Sequence, residues 1–146
     1  MAFDLKSISS TQSARALFAL TYGTSGVGKT TFAADMPNSV FIQTEDGAGS
    51  LTLQAFPLAK SYDDVMSAIT ALCDKHDYKT VVIDSLDHLE PLIWKKVCED
   101  NNVKSIEQLT YGKGYTMALD LWRELLSGLR HLRDSLGMNV MLIAHH

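Results

Sequence analysis

The sequence predicts an α/β fold with a mainly parallel β-sheet. Four short runs of apolar and β-branched residues alternate with segments of helical spacing, and no hairpin turn signal joins two neighbouring runs. Each run also leads directly into a glycine, an acidic residue or a histidine. Such strands are joined by right-handed crossovers and run in the same direction, so their carboxyl ends meet at one edge of the sheet.

Composition and charge narrow the class of protein. A length of 146 residues and a hydrophobic content of 46% are typical of one globular domain with its own core. The net charge of −4 argues against a protein that coats nucleic acid through bulk electrostatics, so any DNA contact must be local. No apolar run is long enough to span a bilayer, and the N-terminus lacks a secretory signal, so we expect a cytoplasmic protein with no membrane contact.

The first strand is predicted over residues 17–22, after a polar lead-in over residues 1–15, so the predicted domain covers residues 16–146. A glycine-rich loop follows, and its sequence Gly-Thr-Ser-Gly-Val-Gly-Lys-Thr fits the phosphate-binding pattern G-x-x-x-x-G-K-[ST]. A helix over residues 29–35 then ends before Pro37. An ordinary glycine turn is the alternative interpretation, but the strand before the loop and the helix after it favour phosphate binding.

The loop residues have distinct predicted roles in holding a nucleotide. The glycines let backbone N–H groups approach a polyphosphate, Lys29 supplies a positive charge for the β- and γ-phosphates, and the Thr30 hydroxyl is a ligand for Mg²⁺. The predicted nucleotide-binding residues of this loop are Gly23, Thr24, Ser25, Gly26, Val27, Gly28, Lys29, Thr30 and Thr31.

Two acids end the second and third predicted strands. Residues 39–44 form a buried strand that leads into Glu45, and residues 80–84 form one that ends in Asp84. Acids at strand ends hold Mg²⁺ in nucleotide hydrolases, which makes Asp84 a candidate metal ligand. The alternatives are that Asp84 caps the next helix and that Glu45 is a solvated turn residue, with Asp46 able to take its place.

The other elements complete the alternation of helices and strands. A helix with Ser61 as its N-cap is predicted to end near His76, and another to cover residues 88–101. A polar loop over residues 111–115 precedes a long amphipathic helix that Gly137 closes. The fourth strand covers residues 140–144, and His145 and His146 follow it. These two histidines are also open to interpretation as metal ligands, a disordered end or the start of a tag.

These residues resemble the RecA-like recombinase ATPases, and among them the short phage-encoded ATPases of recombination and single-strand annealing. The resemblance covers most of the chain and rests on segments 23–31, 41–47, 82–85 and 136–146, which match in order and spacing. It implies a three-layer P-loop NTPase fold with strand order 2-3-4-1, ATP and Mg²⁺ as cofactors, and a phage or bacterial protein in the host cytoplasm.

The resemblance also implies roles for residues at the strand ends. Glu45 would position the attacking water, and the polar residue after the fourth strand would sense the γ-phosphate, which points to His145 or His146 where the family often has Gln or Asn. The family's core continues with further strands. We therefore expect either that the chain continues beyond residue 146 or that it forms a homo-oligomer along the exposed edge of its first strand.

A DNA-binding loop is implied before the long helix. Tyr111 and Tyr115 would stack on the bases of single-stranded DNA, while Lys113 and nearby Lys104 would neutralise phosphates. The glycines of this loop, Gly112 and Gly114, would let the backbone approach the DNA strand. The alternative is a solvated segment whose tyrosines pack locally.

Other functions that use a phosphate loop are also open. A small-molecule kinase would need a pair of substrate-binding acids, for which Asp84 and Asp87 are available, and an arginine-bearing lid, which is not evident. A non-hydrolysing, nucleotide-dependent interaction module is a further alternative. A GTPase is disfavoured, because the sequence has no Asn-Lys-x-Asp motif and Asp84 does not begin an Asp-x-x-Gly motif.

Overall fold

The computed structural model describes residues 2–11 and 14–146, which form four strands and four α-helices. The strands are Phe18–Gly23 (β1), Ser39–Gln43 (β2), Thr80–Asp84 (β3) and Asn139–His145 (β4). The helices are Lys29–Ala34 (α1), Tyr62–Ala71 (α2), Leu86–Asp100 (α3) and Lys113–Leu136 (α4). Short 3₁₀ turns occur at Leu5–Ser7, Ile106–Gln108 and Thr110–Gly112.

The four strands pair in parallel in the order β1-β4-β3-β2, which confirms the predicted order. In the register of the sheet, Gly23 lies opposite His145, and Asp84 lies opposite both Gln43 and Ile143. The carboxyl ends of all four strands therefore reach the same edge of the sheet, which we call the carboxyl edge.

Helices cover both faces of the sheet, and the side-chain alternation of β3 shows how. Val81 and Ile83 belong to the large core that α2, α3 and α4 form, whereas Val82 belongs to a smaller core with Ala33 of α1. All five positions of β3 are buried. A strand buried on both faces reads as a continuous apolar run, as residues 80–83 do. The predicted three-layer α/β fold is confirmed.

Two helix boundaries differ from their predictions for identifiable reasons. α2 has the expected N-cap, since the Ser61 hydroxyl accepts a hydrogen bond from the Asp64 N–H at 3.0 Å. It ends at Ala71, before the predicted His76, whose Nε2 lies 2.9 Å from the Leu72 carbonyl oxygen and so serves the helix end instead of extending it. α3 begins at Leu86, two residues before the predicted start, because Ser85 takes the N-cap position.

The predicted loop over residues 111–115 is shorter than expected, because α4 already begins at Lys113. Within residues 111–115, only Tyr111 and Gly112 have left-handed backbone angles, with φ of 57° and 68°. Gly114, which we expected to let the backbone approach DNA, is a buried helical residue packed against Ile106, and a Cβ atom there would collide with that side chain. The prediction of an open glycine loop was therefore wrong.

The N-terminal end of α4 is the end nearer to the carboxyl edge. α2 begins beside this edge, where the Ala59 N–H donates to the Gln43 carbonyl at 2.9 Å, and the Tyr62 hydroxyl then donates to the Leu121 carbonyl at 3.0 Å. Since α4 leads at its other end into β4, which starts at the opposite end of the sheet, the turns before Leu121 lie on the carboxyl-edge side of this contact. Eight residues of helix between Lys113 and Leu121 correspond to about 12 Å.

The two outer strands differ in how they are covered. Beside β2, the Phe41 N–H donates to the Gln54 carbonyl at 2.8 Å, and the Phe56 N–H donates to the Phe41 carbonyl at 3.0 Å. On the other side of the sheet β1 is the edge strand, and Leu20 and Tyr22 are 56% and 61% exposed. Within the described part of the chain, no helix combines the length and the apolar character needed to cross a membrane.

Candidate functional site

The loop after β1 has the backbone form that a bound anion requires. Gly26 and Gly28 adopt left-handed angles, with φ of 84° and 98°, and a Cβ atom added at either would meet nothing within 4 Å. Gly28 is also the N-cap of α1, whose first N–H groups have no partner within the helix. The loop is thus an open concave backbone surface lined by amide donors.

Lys29 is buried within this loop, with 6% of its surface exposed. Its Nζ donates hydrogen bonds to the carbonyl oxygens of Gly23 at 2.8 Å and Thr24 at 2.7 Å. These neutral partners hold the ammonium group in place without cancelling its charge. The loop therefore presents a fixed positive charge next to its amide donors.

Thr30 and Asp84 connect the start of α1 to the end of β3. The Thr30 hydroxyl donates to Oδ2 of Asp84 at 2.8 Å, and Asp84 is 3% exposed. Burial raises the pKa of Asp84, and the charge of Glu45 adds to the rise, although the Thr30 hydrogen bond and the charges of His145 and Lys29 oppose it. The side chain of Asp84 thus points to the phosphate loop, and Ser85, not Asp84, caps α3.

Glu45 lies between two histidines. Its Oε1 is 2.8 Å from Nε2 of His145, and its Oε2 is 3.0 Å from Nδ1 of His88. Burial alone would raise the pKa of Glu45, but hydrogen bonds from His145 and Ser85 and the charges of His88 and His145 together lower it. The carboxylate is therefore ionised at neutral pH. The neighbouring Asp46, our alternative for this role, is exposed.

These groups line one cavity of about 310 Å³ at the carboxyl edge. Oxygen or nitrogen atoms of Glu45, Asp84 and His145 all lie within 4.8 Å of one another. The cavity is lined by Ser25, Gly26, Gly28, Lys29, Thr30, Thr31, Glu45, Gly47, Leu51, Asp84 and His145. A larger cavity of about 600 Å³ lies beside Asn38 and Ser39, at the amino end of β2, with Asp77 as the one charged residue in its described lining. Because the smaller cavity brings a lysine, two carboxylates and a histidine together, we take it as the candidate functional site.

The donor set of this cavity fits a nucleoside triphosphate with Mg²⁺. Amide donors and the Lys29 ammonium group suit phosphate oxygens, while the Thr30 hydroxyl and the Asp84 carboxylate are the oxygen ligands that Mg²⁺ takes in proteins. Both metal candidates lie beside the loop at hydrogen-bonding distance from each other.

Not all predicted loop and strand-end residues face this cavity. Thr24 contributes its carbonyl oxygen to Lys29, and the Val27 side chain is 62% exposed. The His146 N–H donates to the Gly23 carbonyl at 2.9 Å, and its ring lies 5.9 Å from that of Tyr22. Of the two histidines after the fourth predicted strand, His145 is therefore the one that lines the cavity.

Sequence reasoning missed His88 and considered Asp87 only as a substrate-binding acid of a kinase. The His145 N–H donates to Oδ2 of Asp87 at 2.7 Å, and Nδ1 of His88 contacts Glu45. Both residues lie in the first turn of α3, directly after β3. Their position three and four residues after Asp84 could have indicated that they lie near the site. We predicted the helix to start at His88, however, and so did not recognise that both residues belong to its first turn.

The predicted DNA-contacting residues are exposed and lie near one another along the chain. Tyr111 is 98% exposed and Tyr115 is 50% exposed, and Lys104 and Lys113 are also exposed. The ring of Trp94 in α3 packs edge-to-face on that of Tyr115, with centroids 6.2 Å apart. Trp94 is a member of this aromatic surface that the sequence did not suggest.

Comparison with known proteins agrees with this geometry. The profile of the AAA domain family matches residues 15–146, which include the phosphate loop and all four strands. Among curated proteins, no sequence matches the chain. The family match covers far more than half of the chain, and the cavity has the donors of a phosphate-binding loop. The chain therefore belongs to the AAA domain family of P-loop nucleotide-binding ATPases.

Proposed function

We propose that this domain hydrolyses ATP in a Mg²⁺-dependent, RecA-like manner and acts in DNA recombination or single-strand annealing. Family membership accounts for nucleotide binding. The observation that carries the proposal of hydrolysis is an ionised acid, Glu45, in the cavity that also contains Lys29 and the hydrogen-bonded pair of Thr30 and Asp84. A phosphate loop alone binds nucleotide, whereas a positioned carboxylate can activate water.

Each residue has a role that its surroundings support. Lys29 would exchange its contacts with backbone carbonyls for phosphate oxygens, and Thr30 and Asp84 would hold the metal. Bound Mg²⁺ offsets the negative charge on the phosphates. Glu45 orients a water molecule and accepts its proton, for which the carboxylate must be ionised. The lowered pKa of Glu45 meets this requirement.

We assign γ-phosphate sensing to His145. It lines the cavity and ends the strand beside β1, and its contact with Oε1 of Glu45 couples it to the proposed base. An imidazole N–H is a suitable donor to a phosphate oxygen. His146, which contacts Gly23 and Tyr22, has no such position.

The kinase alternative has weaker support. A small-molecule kinase would need a second acid free to accept a substrate hydroxyl, and Asp87 was the candidate. Here Oδ2 of Asp87 accepts the His145 N–H at 2.7 Å. That hydrogen bond gives Asp87 a structural role at the end of β4.

Single-stranded DNA is the proposed partner of the surface formed by Trp94, Tyr111 and Tyr115. Exposed aromatic rings stack on bases without regard to sequence, and Lys113 adds a positive charge at the start of α4. These N-terminal turns are at the end of α4 nearer to the carboxyl edge, where the nucleotide would also bind. The net charge of −4 restricts such contact to a local surface.

A homo-oligomer is also proposed, with β1 as the contact. One side of β1 pairs with β4, and its other side is the edge of the described sheet, where Leu20 and Tyr22 are more than half exposed. An apolar edge strand offers unpaired backbone groups to another chain.

Phosphate release measured with and without oligothymidine tests this function. We expect Mg²⁺-dependent release from ATP that oligothymidine changes and that is lost in Glu45→Gln. Transfer of phosphate to a small acceptor in place of water would favour the kinase. Tight nucleotide binding without any turnover would favour the interaction module.

A further inference from the structure

We propose that His88 is a positioning residue that holds Glu45 in place when His145 turns to the nucleotide. The inference rests on the proposed ATPase function. Nδ1 of His88 lies 3.0 Å from Oε2 of Glu45, on the carboxylate oxygen that His145 leaves free. The two imidazoles thus bind opposite oxygens of one carboxylate.

The two histidines differ in their access to the nucleotide cavity. His145 lines the cavity together with Glu45, whereas His88, in the first turn of α3, lies outside the described lining. A donor within the cavity can exchange Glu45 for a phosphate oxygen, but a donor outside it keeps its original partner. His88 is therefore a constant partner of Glu45, together with Ser85, and His145 is the exchangeable one.

The surroundings of His88 fix its ring relative to β3. Ser85, the N-cap of α3, is fully buried, and its Oγ lies 3.1 Å from the same Nδ1 atom. The Ser85 N–H donates to the Thr44 hydroxyl at 2.9 Å, and the Thr44 hydroxyl donates to the Ser85 carbonyl at 2.7 Å. The chain just before Glu45 and the start of α3 are thus joined by hydrogen bonds, and His88 extends this connection to the carboxylate itself.

The consequence concerns the direction in which Glu45 points. Once Oε1 is released by His145, Glu45 depends on its remaining partners, His88 and Ser85, to keep it from rotating away from the attacking water. A displacement of about 1 Å at a reacting group costs on the order of 10²-fold in rate. His88 keeps Oε2 occupied, so Oε1 remains directed into the cavity to accept a proton.

Steady-state ATP hydrolysis by His88→Ala, His88→Asn and wild type tests the proposal, with His131→Ala on the exposed surface of α4 as the matched control. We expect His88→Ala to lower kcat by at least about 10-fold with little change in KM, because His88 lies outside the described lining of the cavity. His88→Asn places an amide N–H the same number of bonds from the backbone as Nδ1 and should restore most of the rate. In a Glu45→Gln background, His88→Ala should have no further effect.

The outcomes separate this inference from the function on which it rests. If wild type does not hydrolyse ATP, the proposed function fails and the role of His88 fails with it. If wild type is active and His88→Ala has the same kcat, the role of His88 alone is refuted. A rise in KM, a failure of His88→Asn to restore the rate, or an additive loss with Glu45→Gln would each refute it as well.

Discussion

Nε2 of His145 and Oε1 of Glu45 lie 2.8 Å apart, and this contact bridges over β3. His145 ends β4 and Glu45 follows β2, while the strand between them ends in Asp84. The proposed phosphate sensor, the proposed metal ligand and the proposed general base are therefore adjacent at three neighbouring strand ends. Movement of His145 necessarily changes the surroundings of Glu45.

The contact gives a direct test of His145. We expect His145→Ala to lower kcat for ATP by about 10²-fold, the usual cost of removing one donor to a developing negative charge. His145→Gln, which retains an N–H donor, should lose less. His146→Ala is the control, because the contacts of His146 are with Gly23 and Tyr22. A larger loss of kcat in His146→Ala than in His145→Ala would show that His146, and not His145, senses the phosphate.

Lys29 and Glu45 should give separable phenotypes. Lys29→Ala removes the fixed charge of the phosphate loop, so we expect nucleotide binding or hydrolysis to be abolished. Glu45→Gln should keep binding and lose on the order of 10²–10⁴-fold in turnover, the usual contribution of a positioned base. Fluorescent-nucleotide titration and phosphate release measure the two effects. If Asp46→Asn is inactive and Glu45→Gln is not, the base lies one residue further along.

Sequence patterns predicted the strands and their functional ends well. A buried strand such as β3 is a continuous apolar run, and parallel connectivity places Gly23, Asp84 and His145 at one edge without knowledge of any contact. The strand order came from the resemblance to RecA-like proteins, and the structure confirms it.

What the sequence missed depends on tertiary contacts. Gly114 is helical because α4 packs there against Ile106, which no local turn propensity reveals. His88 contacts Glu45 because α3 begins at Leu86, two residues before the predicted helix start, which puts His88 in the first turn. Trp94 and Tyr115 pack together from different helices. The spacing of residues along one segment does not predict contacts between side chains of different segments.

Asp84→Asn is expected to stabilise the domain while abolishing its activity. Burial raises the pKa of Asp84, which means that the ionised side chain is costly in the folded state, and an amide of the same size removes that cost. In metal-free buffer we expect a rise in Tm of about 4 °C by differential scanning fluorimetry. Asp74→Asn, at an exposed acid, should leave Tm unchanged. A fall in Tm on replacing Asp84 would show that its hydrogen bond from Thr30 outweighs the burial.

The aromatic surface gives a prediction for DNA. Each base stacked on an aromatic ring is worth about 1–3 kcal/mol, so replacing both Tyr111 and Tyr115 with Ala should weaken oligothymidine binding by at least about 10-fold. Binding of the wild type should be independent of sequence, weaken with salt and strengthen with ATP. Fluorescence anisotropy measures all three, after each variant is shown to fold and bind ATP. Phe32→Ala is the matched control, since this exposed aromatic residue belongs to α1 on the opposite face of the sheet. Equal affinities of the wild type and the double variant would move the DNA site elsewhere.

The β1 edge predicts concentration-dependent association. Leu20→Lys places a charge on the exposed apolar edge and should raise the dissociation constant of the oligomer by at least about 10-fold. Sedimentation velocity over a range of concentrations measures this, with Leu136→Lys, at another exposed leucine near the end of α4, as the control. A wild-type chain that stays monomeric and active at high concentration would contradict the proposed assembly.

The complete site forms only from residues that are far apart in the sequence, so nucleotide affinity is linked to the folding of the whole domain. The hydrogen bond between Thr30 and Asp84 joins residues 54 positions apart in the sequence, and the contact between Glu45 and His145 joins residues 100 positions apart. A partly unfolded chain therefore keeps at most the phosphate loop, which is continuous in sequence, and lacks the proposed metal ligand and base that complete the site. A ligand at 100 times its dissociation constant adds about 2.7 kcal/mol to the stability of such a native state, all of it against global unfolding. Hydrogen exchange in β3 and β4 should slow together when nucleotide binds, because the ligand stabilises the whole sheet against opening and not one loop alone.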